Sequence, residues 1–140
     1  MRCRTIAAAF LVVLLATTAS MAGGYAGEFT ITAYCSCTRC CGAGAKGITA
    51  SGKRVRGGMI AADWAVLSRG SRVRLSLLPG RTFVVEDTGS AIKGNRIDVW
   101  LPSHSAAVEF GIRRSIKVWI VPATSASPTR PARAELASLK

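Results

Sequence analysis

The chain has 140 residues, of which 19 are lysine or arginine and 7 are acidic, giving a formal net charge of +12. That length suits one domain with a single modest core. The sequence has one histidine, His104. It shows no Ser/His or Cys/His nucleophile arrangement, and His104, near the start of a short helix, reads as a surface residue.

In chain order, Arg2 and Arg4 precede an unbroken apolar run over residues 6–16 and a small-residue stretch carrying Ser20 and Ala22. This is the three-part pattern of a secretory signal over residues 1–22, with cleavage as late as residue 26 as an alternative. The run is too short for a permanent membrane span, and no other long apolar segment follows. The expected location is therefore exported, in the periplasm or extracellular at the cell wall, where the basic chain meets anionic wall polymers and lipid surfaces before nucleic acid. The expected partner is an anionic cell-wall surface and not nucleic acid, and composition alone does not choose the polymer. No cofactor is expected, and the protein is expected to be a monomer. Residues 28–122 form the folded domain, and residues 123–140 read as a disordered basic tail rich in Ala, Ser and Pro.

Residues 29–34 alternate with period two, as does the stretch 72–75. Residues 82–86, 95–101 and 115–121 are three further strands rich in Val, Ile and Trp. A short helix is expected over 103–110, with Gly111 placed to end it. Short strands, glycine turns and one small helix point to an all-β barrel.

Cys35, Cys37, Cys40 and Cys41 crowd into seven residues. In an exported domain an even number of cysteines reads as disulfides. Geometry disfavours Cys35–Cys37 and Cys40–Cys41, which leaves Cys35–Cys40 with Cys37–Cys41, or Cys35–Cys41 with Cys37–Cys40. The alternative is zinc or an iron–sulfur cluster, against which seven residues would need unusual bending to wrap one ion. Either way the cluster is expected to pin a loop.

Acidic residues are few, and Asp98 lies within a β-run where propensity disfavours it, so something else keeps it there. Asp87 ends an apolar strand and, with Thr88-Gly89, also fits an ordinary turn. Asp63 follows Ile60-Ala61-Ala62 and, taken alone, fits a cap on the turn through Trp64-Ala65-Val66. Trp100 shares a strand face with Asp98.

Ile60-Ala61-Ala62-Asp63, the stretch from Glu86-Asp87-Thr88-Gly89 through Asn95-Arg96-Ile97-Asp98-Val99-Trp100, and Gly47-Ile48-Thr49-Ala50-Ser51-Gly52 together resemble the three-aspartate (3D) domain. The resemblance implies a compact six-stranded double-psi β-barrel with one or two short helices. That fold is shared with the catalytic part of membrane-bound lytic transglycosylase A and with small muralytic proteins. It further implies peptidoglycan glycan strands as the partner, and cleavage of the β-1,4 bond between their N-acetylmuramic acid and N-acetylglucosamine with a 1,6-anhydro product. Asp98 would be the catalytic acid/base, with Asp63 and Asp87 in the same cleft. Thr49, Lys93, Arg96 and Trp100 are candidates to contact the substrate, Trp100 by stacking on a sugar, with core packing as its alternative. Non-catalytic, expansin-like wall binding is the competing expectation, because one fold hosts many functions.

Overall fold

The structure, a computed structural model, describes residues 24–122. The signal segment and the basic tail expected at the two ends lie outside the described residues. Six strands and two short helices occur in the order β1 (Tyr25–Tyr34), α1 (Thr38–Cys41), β2 (Met59–Ala62), β3 (Arg72–Leu75), β4 (Phe83–Asp87), β5 (Arg96–Trp100), α2 (His104–Phe110) and β6 (Arg113–Val121).

The strands close into a barrel in the order β1-β5-β2-β4-β3-β6. The pairs β1–β5 and β2–β4 are parallel, and β1–β6, β2–β5, β3–β4 and β3–β6 are antiparallel. This is the six-stranded double-psi barrel that the family resemblance implies. Parallel neighbours cannot be joined by a tight hairpin. Long connections therefore run between β1 and β5 and between β2 and β4, and these carry the loops around the site.

Alternation along the strands fills the interior. Phe29 and Ile31 of β1, Val73 and Leu75 of β3, Phe83 and Val85 of β4, and Ile97 and Val99 of β5 are all buried in one core. β2 is buried at all four positions. α2 starts at the cap Ser103, whose hydroxyl accepts from the Ala106 N–H at 3.2 Å. It ends at Gly111, whose φ of 63° suits a residue without a side chain.

Candidate functional site

β2 lies between β4 and β5, and each neighbour sets an aspartate opposite the same small residue. Ala61 is in register with Asp87 of β4 and with Asp98 of β5. A register shift makes this possible: Ile60 faces Val85, the next pair is Ala61 with Asp87, and Glu86 is skipped. A regular ladder would put Glu86 opposite Ala61. Bulges of this kind re-aim side chains. Glu86 is buried and instead pairs with Lys53 at 2.5 Å. With strands spaced about 4.8 Å apart, the backbones of Asp87 and Asp98 stand roughly 10 Å apart across Ala61. All three residues line one open cleft of about 410 Å³, together with Tyr34, Cys41 and Ile48.

The two carboxylates differ in environment. Asp98 is half-buried and accepts one hydrogen bond, at 2.8 Å from the hydroxyl of Thr32, its register partner on β1. Burial raises the Asp98 pKa above the ordinary carboxylate value. The Thr32 hydrogen bond and the Arg96 charge oppose the rise, and the Asp87 charge adds to it. Asp87 is held by three donors: Ala50 N–H at 2.8 Å and Thr88 N–H at 2.9 Å on Oδ1, and the Tyr34 hydroxyl at 2.8 Å on Oδ2. Burial, and then the Asp87 charge, push the Tyr34 pKa up, so this phenol remains a donor.

Asp63 stands apart, although it was expected in the same cleft. It is not among the cleft's lining residues. Both of its oxygens accept from backbone N–H groups, Ala65 at 3.1 Å and Gly94 at 2.8 Å. Those bonds, Gly94 first, lower its pKa. Asp63 therefore clamps the turn after β2 to the loop before β5.

Two further cavities adjoin the cleft. One, of about 250 Å³, shares Tyr34, Cys41, Ile48 and Asp87 with it. The next, of about 380 Å³, is lined by Lys46, Arg54 and Trp100. They form a groove leading away from the aspartates, and Trp100 borders its far end. There the Trp100 indole N–H donates to Ser36 Oγ at 2.9 Å. Thr49 is buried and bonded to Ser51 Oγ and to the Lys53 carbonyl, so it shapes the 48–54 loop from within. Neither Lys93 nor Arg96 lines these three cavities.

Residues 58–122, which contain all three aspartates, match the family model described as the 3D domain. This segment is a 3D domain. Two relatives come from Bacillus subtilis (strain 168). YabE, named for cell wall shaping, is 38% identical over 92 residues, covering 64% of this chain and 21% of YabE. YocH, named as a cell wall-binding protein, is 41% identical over 80 residues, covering 54% of this chain and 27% of YocH. The chain thus spans about a quarter of the length of these relatives. Among solved structures, MltA from Escherichia coli aligns at 21% identity and a TM-score of 0.46, over 54% of this chain and 27% of that one.

Ahead of the 3D segment, the cysteine cluster is arranged differently from the sequence expectation. All four cysteines are free thiols, and the sulfurs of Cys35 and Cys40 lie 3.6 Å apart. Cys41 is turned away from the others and donates to the Cys35 carbonyl at 3.1 Å. His104, which the sequence placed on the surface, points its Nδ1 at Cys40 Sγ (3.5 Å) and Cys37 Sγ (3.7 Å). The missed signal is spatial. Sixty-odd residues separate the histidine from the cysteines, and the β1–β5 pairing brings the chain after β5 back to the end of β1. Burial, with a hydrogen bond to Cys37, pushes the Cys35 thiol up to about 12. Hydrogen bonds from Cys35 and from the Cys40 backbone hold Cys37 down to about 6.

Proposed function

We propose that this domain acts at the cell wall as a peptidoglycan lytic transglycosylase, with Asp98 as the general acid/base. The observation that carries this reading is the pair Asp87–Asp98 flanking Ala61 in one open cleft, with the Asp98 pKa raised. A glycosidic oxygen needs a proton to leave, and a carboxyl of raised pKa keeps one closer to neutral pH. The muramic C6 hydroxyl is tethered to the reacting ring, so no second reactant has to be activated. Asp98 protonates the leaving oxygen and then accepts the C6 hydroxyl proton, which closes the 1,6-anhydro ring. Asp87, locked by three donors, supplies negative charge beside the ring as positive charge develops on it. The groove toward Trp100 has room for further sugars, and Lys46 and Arg54 offer cations to acetyl or peptide carboxyl groups.

YabE is named for cell wall shaping and YocH for cell wall binding, which supports a role at the wall. The second reading, wall binding without cleavage, is favoured specifically by YocH, named as a binding protein. The deciding test is incubation of the protein with purified sacculi, followed by mass spectrometry of the released material. Muropeptides with 1,6-anhydro ends are expected. Retention on sacculi with no anhydro product at any pH from acid to neutral would leave the binding reading in its place.

A further inference from the structure

The four side chains Cys35, Cys37, Cys40 and His104 each offer one ligand atom, and these atoms all lie within 4.8 Å of one another. The individual separations are informative. A tetrahedral zinc ion with Zn–S about 2.3 Å and Zn–N about 2.05 Å has S···S edges of about 3.75 Å and S···N edges of about 3.55 Å. The observed Cys35 Sγ–Cys40 Sγ separation is 3.6 Å, and the sulfur–Nδ1 separations are 3.5 Å for Cys40 and 3.7 Å for Cys37. A covalent S–S bond would need about 2.05 Å. We infer that Cys35, Cys37, Cys40 and His104 form a zinc site of the Cys₃His type.

The backbone shows how seven residues contribute three ligands. Cys35 lies just past the end of β1 and is buried. The chain then turns into the one-turn helix α1. Cys37 is its cap, and the N–H groups of Cys40 and Cys41 donate to the Cys37 carbonyl. A three-residue step along a helical turn brings Cys37 and Cys40 to one side. The bending objection assumed that the cluster itself must supply all four ligands. It falls because the fourth ligand comes from the first residue of α2, held by the Ser103 cap. Cys41 takes no part, since its sulfur is engaged by the Cys35 carbonyl.

Four protein ligands leave no open position, so the site is structural rather than catalytic. Its place gives it a purpose. It ties the loop after β1 to α2, and Cys40 and Cys41 of that loop line the aspartate cleft. Zinc would therefore fix one wall of the cleft. Binding displaces thiol protons, up to three per ion, and stabilises only the folded chain.

The test uses the whole chain, purified without chelator, in two portions, one with and one without added reductant. Elemental analysis should give one zinc per chain in both portions. Replacement by Co²⁺ should give the thiolate charge-transfer absorption and intense visible bands of a tetrahedral site. Cys41→Ser should keep one zinc per chain. Cys37→Ser and His104→Ala should weaken zinc retention against a competing chelator at least tenfold. Because those variants could unfold, wild-type protein stripped by chelator provides an independent reading, and its Tm should rise on adding zinc back. The inference is overturned if both portions are metal-free and peptide mapping finds two disulfides that include Cys41. It is equally overturned if Cys41→Ser loses zinc as fully as Cys37→Ser, or if zinc leaves the Tm of the stripped protein unchanged. None of these readouts depends on glycan cleavage.

Discussion

In the proposed mechanism Asp98 couples reactivity to stability through one property, its raised pKa. A carboxyl whose folded pKa exceeds its unfolded value contributes stability that is fully present below the unfolded pKa, about 3.9 for Asp. That contribution is lost as pH rises through the folded value. At neutral pH the half-buried carboxylate therefore costs stability. Asp98→Asn is expected to unfold at the same or a higher temperature than wild type at pH 7, with the difference shrinking toward pH 3. Its glycan cleavage should fall by a factor on the order of 10²–10⁴, since an amide cannot deliver the proton. Wild-type cleavage should decline on the basic side as Asp98 ionises, which a pH–rate profile on sacculi measures. A variant that cleaves as fast as wild type would move the catalytic role elsewhere. Asp87 and Asp98 were legible in the sequence because an acid inside or ending an apolar strand demands a reason. Half of the Asp63 clamp was legible too, the cap on its own turn through Ala65; the other half was not, because the donor Gly94 lies 31 residues away and bonds through its backbone.

The secondary structure shows the same division between local and non-local signals. β3 is found over the residues read from their alternation, and the other expected strands differ by a residue or two at their ends, apart from the longer start of β1. β2 could not be placed that way. Its four residues are buried on both faces, so no polar alternation marks it. Yet β2 is the strand on which the site depends, because Ala61 spaces the two aspartates and belongs to the cleft lining. Ala61→Leu tests that role. The added bulk has the cleft on one side and packed strands on the other, so the cost in stability is expected to be about 1–3 kcal/mol. Cleavage should fall much further than stability does, because the side chain would occupy the space between the carboxylates. Denaturant unfolding alongside muropeptide release separates the two effects. Equal cleavage by a folded variant would show that the substrate does not approach Ala61.

At the scale of the whole molecule, the chain's formal charge of +12 bears on how it would meet the anionic wall polymer of the proposed function. The cations are spread over several elements. Lys46 and Arg54 line the groove, while Arg74 on β3 and Lys117 on β6 are exposed and line none of the three cavities. Such a distribution raises the rate and strength of association with an anionic surface, but it does not change the local chemistry at Asp98. The Debye length shrinks from about 10 Å at 0.1 M salt to about 3 Å at 1 M, so long-range attraction is lost first while the partly buried site is screened much less. Binding to sacculi is therefore expected to weaken on the order of tenfold between 0.05 M and 0.5 M salt, given these screening lengths. Asp98→Asn should follow the same salt curve as wild type, because its change lies in the cleft and not in the field. Cleavage should lose kcat/KM over that range while keeping kcat nearly constant, since salt removes attraction to the wall and leaves proton transfer intact. Pelleting of sacculi and initial rates at several salt concentrations measure both quantities. A kcat that falls in step with binding would mean that the surface cations act on the reacting sugar itself, and Lys46→Ala and Arg54→Ala would then identify which of the groove residues is responsible.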